Sequence, residues 1–338
     1  MRKRFVPICL LSAVILVAGP CSAGAQEVKT PPHRVVLSEI GRIAGSAQGT
    51  VGVSAVHLET GRKVDFRADE RFPMASTVKV AVAAKILDMA DKGQISLTAP
   101  IPLESLEMAP DGPLGDMKWR PGLSFSAAEL LETMIVTSDN TSTDVLYRVA
   151  GGPAAVQAYM QDLGLKDILP ARYIRELLRD VLSIPPAKSK MSLAVHFKKM
   201  SPKQAAERRE RAYRANPAYD ADPRDQATPT AMLALLTKIW RAEGVSPSAR
   251  SALLSLMEQC KTGMKRIRGR LPSGTVVADK TGTLAGTLND VGYVTLPEGK
   301  GHVAIVVFVK GSEAPPASRE TVIANIARLL YDYFLLVE

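Results

Sequence analysis

Three observations predict an α+β fold: a five-stranded antiparallel sheet flanked by helices, built from both chain ends, with an inserted all-helical half. First, Val51, Val53 and Ala55, then Val64 and Phe66, alternate on either side of Thr60-Gly61, which is a hairpin signal. Second, strand signals return only after Leu271, at Thr275 to Ala278, Val291 to Leu296 and His302 to Val309. Third, helical periodicity fills the chain between them. Early and late strands form one sheet only if the chain ends meet, and a cleft beside the inserted half is the natural place for a site.

The 338-residue chain begins with Arg2-Lys3-Arg4, an apolar run from Phe5 to Ala18, and Ala23-Gly24-Ala25 before Gln26. These are the three parts of an export signal, and the apolar run is too short for a membrane span. Cleavage after Ala25 is therefore expected; Pro20 before Cys21 is a poor fit to a lipid-attachment site. The remaining 26–338 reads as a single domain, with an α/β half at 26–95 and 264–338 and a helical half at 96–263. An exported protein, periplasmic or secreted and without stable membrane insertion, is expected.

Of the three cysteines, Cys9 and Cys21 fall in the leader, so Cys260 is left without a disulfide partner. The four histidines, His33, His57, His196 and His302, show no ligand spacing, and no metal or cofactor is expected. The net charge of +9 lies partly in the leader and partly in a basic insertion at about 181–220. A solvated charge run accounts for that insertion, so nucleic acid is not an expected partner. The protein is expected to be a monomer.

In chain order, Val36, Ile40 and Ile43 mark a helical stripe between His33 and Ala44. After the hairpin, Ser76 to Met89 is apolar on nearly every side, as a buried helix is. Ser126-Ala127-Ala128-Glu129 is a capping box opening a helix to about Val136. Thr228-Pro229 starts another, which Gly244 is expected to close. Val322, Ile326, Leu329 and Tyr333 mark a last amphipathic helix.

Three short motifs carry chemistry. Ser76 and Lys79 stand three apart at the start of the apolar helix, on one face. A serine alcohol is a weak nucleophile until a base takes its proton, and a lysine desolvated in an apolar helix has its pKa lowered toward that task. A capping serine with an outward-snorkelling lysine is the bland alternative. Ser138-Asp139-Asn140 follows the capping-box helix; it is ordinarily a cap and a turn, or else a proton relay and an amide donor. Lys-Thr-Gly occurs twice. Lys261-Thr262-Gly263 closes a helical run, where glycine is a usual cap. Lys280-Thr281-Gly282-Thr283 continues a strand, so its backbone can lie along a sheet edge and offer N–H groups to a ligand.

Ser-x-x-Lys, Ser-Asp-Asn and Lys-Thr-Gly in this order resemble the class A serine β-lactamases and penicillin-binding proteins, over nearly all of the chain after the leader. Asp222-Pro223-Arg224-Asp225, Thr228-Pro229 and the segment from Thr262 to Arg268 agree with that resemblance. It implies a β-lactamase/transpeptidase-like fold and an acyl-transfer site for a small-molecule β-lactam. In that site Ser76 becomes acylated, Lys79 is base or relay, and Ser138 hands a proton to the leaving nitrogen. Asn140 orients the substrate side chain, and Lys280, Thr281, Gly282 and Thr283 hold its carboxylate. The N–H groups of Ser76 and Thr283 would form the oxyanion hole. Leu288 stands where members often carry an arginine, and Arg266 matches an alternative arginine position.

One departure concerns the family glutamate that activates the deacylating water. With Arg172 taken as the loop arginine that pairs with Asp225, Ile174 falls on the glutamate position; aligned backward from Asp225, Ala212 does. Glu176 is the nearest substitute, Glu207 and Glu210 weaker ones, and a surface charge is the plain reading of Glu176. The expected activity is serine β-lactamase hydrolysis conferring β-lactam resistance. The alternatives are a penicillin-binding-type peptidase acting on peptidoglycan and a penicillin-binding or sensor module that deacylates slowly.

Overall fold

A computed structural model describes residues 32–184 and 191–337. The expected export signal, with Cys9 and Cys21, lies outside them, as does part of the basic insertion. All five predicted strands are present: β1 (Thr50–His57), β2 (Lys63–Phe66), β3 (Val277–Leu284), β4 (Thr287–Thr295) and β5 (His302–Lys310). They form one antiparallel sheet in the order β2-β1-β5-β4-β3. The last strand of the sequence pairs with the first, which is how the two chain ends come together.

The central strand shows why the sheet is covered on both sides. Along β5, Val303, Ile305, Val307 and Val309 join one apolar cluster, while Ala304, Val306 and Phe308 join the other. Successive side chains point to opposite faces, and an apolar residue at every position leaves neither face for water. On the first face lie α1 (Pro32–Ala44), through Val36 and Ile40, and the C-terminal helix Pro316–Leu336, through Val322, Ile326 and Leu330.

The second face carries α2 (Lys79–Asp91), α3 (Ala127–Val136), α4 (Asn140–Val149) and α5 (Pro153–Asp162). Ser126 opens α3 with the expected capping box. Then follow α6 (Ile174–Val181), α7 (Pro202–Tyr213), α8 (Pro229–Trp240) and α9 (Pro247–Glu258). Helix α8 ends at Trp240 rather than at Gly244, because Ala242 already takes the left-handed position and donates its N–H to the Ile239 carbonyl.

Helix α2 likewise departs from expectation. Residues Ala75–Val78 form a 3-10 turn, and the α-helix begins only at Lys79. Among the described residues, no helix is long and apolar enough to cross a membrane, and no group of acidic, histidine and cysteine side chains is arranged to hold a metal.

Candidate active site

Strand β3 is an edge strand, and its period of two sorts the Lys-Thr-Gly-Thr side chains. Ala278, Lys280, Gly282 and Leu284 fall toward the helices, while Thr281 and Thr283 turn the other way. At Gly282 a Cβ would meet the Met74 carbonyl oxygen at 2.7 Å and the Ser76 nitrogen at 3.2 Å. The absent side chain lets the Ser76 turn press against the strand. Asn289, opposite Gly282 on β4, donates to the carbonyls of Pro73 at 2.8 Å and Met74 at 3.1 Å, pinning that turn to the sheet.

Backbone strain sits at both polar corners of the site. Ala75 (φ 46°) and Ser138 (φ 62°) adopt left-handed conformations. Such residues cost on the order of 1–3 kcal/mol each and persist where the surroundings over-determine them. At Ser138 the conformation aims both carbonyl and hydroxyl at Lys79. The fully buried Lys79 Nζ donates to Ser138 O at 2.6 Å, Ser138 Oγ at 3.1 Å and Asn140 Oδ1 at 2.8 Å. None of its bonds goes to Ser76, although Ser76 lines the same pocket. Lys280 Nζ reaches Ser138 Oγ at 2.9 Å from the other side and also donates to Thr281 O.

The Ser138 hydroxyl therefore accepts from two lysines, which occupies its lone pairs and leaves its own hydrogen available. Burial, and then the nearby Lys280 charge, push the Lys79 ammonium well below its ordinary value. Burial brings Lys280 down to about 8. Between them, Asp139 plays the capping part: its carboxylate accepts from Ser142 N–H at 2.7 Å and Leu114 N–H at 2.8 Å. Asn140 Nδ2 donates to Pro110 O at 2.9 Å, which ties the segment between α2 and α3 to the residue that holds Lys79.

Arg266, buried, donates to Gly282 O at 3.1 Å, Asn289 O at 2.9 Å and Thr283 Oγ1 at 2.7 Å. It thus backs the strand edge and turns a cation toward the Thr281 and Thr283 side chains. Ser76, Ser138, Asn140, Thr281, Thr283 and Arg266 all line one cavity of about 580 Å³. Lys79 and Lys280 are bonded directly beneath it.

The loop arginine and aspartate pair as expected: Arg172 Nε lies 2.6 Å from Asp225 Oδ2, and Asp225 Oδ1 accepts from Ala171 N–H at 2.8 Å. Glu176 requires a correction. Its carboxylate accepts the Tyr173 N–H at 3.1 Å, capping the first turn of α6, and the residue is exposed and does not line the cavity. Counted along the helix, Ile174 at the first position turns inward and Glu176 two residues on turns out. Glu207 and Glu210 on α7 do not line it either. Ile174, Leu177, Leu178 and Ala212 form this wall, and Asp111 is its one carboxylate among the described residues.

The model of the beta-lactamase enzyme family matches residues 36–334. The chain belongs to that family. The crystal structure of a beta-lactamase from Chitinophaga pinensis is 31% identical, with a TM-score of 0.72, covering 88% of this chain and 98% of that one. The TLA-1 extended-spectrum beta-lactamase is 28% identical, also at 0.72, covering 90% and 100%. An ancestral class A beta-lactamase is 29% identical at 0.71, covering 88% and 99%. The resemblance to class A serine enzymes read from the three motifs stands, and the fold is theirs.

Within this β-lactamase scaffold several site residues escape sequence reasoning. Asp144 is fully buried and accepts from Ile174 N–H at 2.6 Å and from Arg175 N–H and Nη1 at 3.1 Å each, which fixes the start of α6. Burial, opposed by Arg175, raises its carboxyl to about 7. Thr262, from the Lys-Thr-Gly copy read as a helix end, bonds Thr281 Oγ1 at 2.5 Å and lines the cavity. Gly263 (φ 66°) does take the left-handed position expected of such an end. The repeat of the motif was the available signal; its position after a helix pointed away from the site.

Proposed function

We propose that this protein opens the amide of a β-lactam through a Ser76 acyl-enzyme. The observation that carries the reading is the single Ser138 hydroxyl bonded by both Lys79 and Lys280 beside the Ser76 turn. Lys79, when neutral, accepts the Ser76 proton as the Oγ–carbonyl bond forms; the ring C–N bond then breaks, and Ser138 supplies the nitrogen with a proton that the lysines replace. The Ser76 and Thr283 N–H groups receive the developing oxyanion. Lys280, Thr281, Gly282, Thr283 and Arg266 hold the ring carboxylate, while Asn140 orients the acyl side chain. Residues 1–25 act as an export leader, the mature protein works outside the cytoplasm as a monomer, and turnover there gives β-lactam resistance.

A second reading has its own support. With Ile174 at the family glutamate position and Glu176 turned outward, ester hydrolysis relies on Lys79 or bulk water, so the protein deacylates slowly. A chromogenic cephalosporin followed by colour and by intact mass separates the two. Continuous product release that Ser76→Ala abolishes supports the hydrolase; a one-equivalent burst with a lasting adduct supports the slow acyl-enzyme. Neither colour nor adduct would defeat both.

A further inference from the structure

The helix that roofs the cavity buries none of its side chains. Ordinarily a helix is held by its apolar face, but α7 contributes Ala205, Arg208, Arg209, Ala212 and Tyr213 to the cavity, and of these Ala212 alone packs, partly buried, against the core. It is held instead by polar contacts from its middle and its C-terminal end. Arg208 Nη2 pairs with Asp111 Oδ2 at 2.7 Å and its guanidinium lies 3.6 Å from the centre of the Phe197 ring. At the C-terminal end Ala212 O accepts from Ala285 N–H at 2.7 Å, and Tyr213 O accepts from Arg319 Nη2 at 2.9 Å. The helix thus spans the cleft from the loop that Asn140 grips, through Pro110 and Asp111, to the hairpin after Thr283.

Between those anchors stands Arg209. It lines the cavity, is exposed, and makes no hydrogen bond or ion pair with the described residues. Its neighbours on that face, Ala205 and Ala212 at four and three residues' distance, are too small to cover it. The one lining carboxylate, Asp111, is already paired with Arg208. At the strand end, Lys280 and Arg266 answer one substrate carboxylate. The cavity therefore keeps a second, unanswered cation on the wall that α7 supplies.

We propose that Arg209 is a specificity residue selecting β-lactams whose acyl side chain carries a carboxylate. This rests on the acyl-enzyme reading above and extends it to substrate class. No new bond is involved: the guanidinium attracts the second carboxylate during binding and acylation, in a partly enclosed site where charge pairs count for more than in open water.

The test compares carbenicillin with benzylpenicillin, which differ by one side-chain carboxylate, as second-order acylation rate constants read from intact mass at low salt. The readout is the ratio of the two constants on one protein, so each variant is its own control. Arg209→Gln is expected to lower the carbenicillin-to-benzylpenicillin ratio about fivefold and Arg209→Glu by more, with the wild-type ratio itself falling in high salt. Thermal melts within about 2 °C of wild type establish that the variants fold. A ratio unchanged in both variants, with both penicillins still acylating, overturns the role of Arg209 alone. If neither penicillin acylates the wild type, the acyl-enzyme reading falls and takes this one with it.

Discussion

The two ammonium groups bonded to Ser138 must hold different charges for the site to work. Burial first, and then the Lys280 charge, push Lys79 well below its ordinary value against the pull of Asp139, Asp144 and Asp111, while burial, opposed by Cys260, Asp279 and Asp290, brings Lys280 down to about 8. Both are bases, protonated below their pKa, so a window opens in which Lys79 is neutral and Lys280 still charged. The acylation rate is expected to rise as Lys79 loses its proton and to fall above pH about 8 as Lys280 loses its own and releases the substrate carboxylate. A stopped-flow pH profile that stays flat from neutrality into the alkaline range would contradict this. Lys79→Arg, which keeps charge but cannot give up its proton, should slow acylation by about 10²–10⁴. For Glu176→Gln, a cap and not a base, release of the acyl group should be unchanged in the same mass assay. Ser76, Lys79, Ser138 and Lys280 were legible because chemistry fixes their types at short spacing. Asp144 and Asn289 were not, because the backbone groups they position, Ile174 N–H and Pro73 O, lie 30 and 216 residues away.

At the scale of elements, the edge strand and the turn it receives act as one unit. Gly282→Ala would drive a Cβ into the Met74 carbonyl, backbone that no rotamer change can move aside. The expected result is at least about a tenfold loss of acylation, since small misplacements of a nucleophile are costly. Asn289→Ala takes its donor from the Pro73 carbonyl, while Met74 O keeps Thr77, and should cost about 1–3 kcal/mol in urea unfolding. An unchanged midpoint would mean that the Ser76 turn is held by packing alone. Strands and long helices could be read from period and caps. The short pairings Phe72–Pro73 with Gln226–Ala227, and of those with Ile168–Leu169, could not, because two residues carry no period. Nor could α7 be placed, since a helix without an apolar face gives no sign of what it lies against.

Across the whole molecule, the scaffold is that of class A enzymes, and one wall of the cavity comes from the chain between Arg172 and Asp225. The Arg172–Asp225 pair keeps the loop anchored, but 53 residues separate them in sequence and the chain between supplies α6 and α7 as an apolar and cationic wall. Asp144 fixes the backbone at Ile174, so Ile174→Glu should deliver a carboxylate into that wall and speed deacylation by about tenfold or more relative to acylation. No gain would mean that the wall leaves no room for a water. The most direct test of the central claim is peptide mapping of the protein quenched after brief exposure to benzylpenicillin. The added mass is expected on the peptide containing Ser76, and to be absent from Ser76→Ala. An adduct on any other residue, or none while the drug is still consumed, would contradict it.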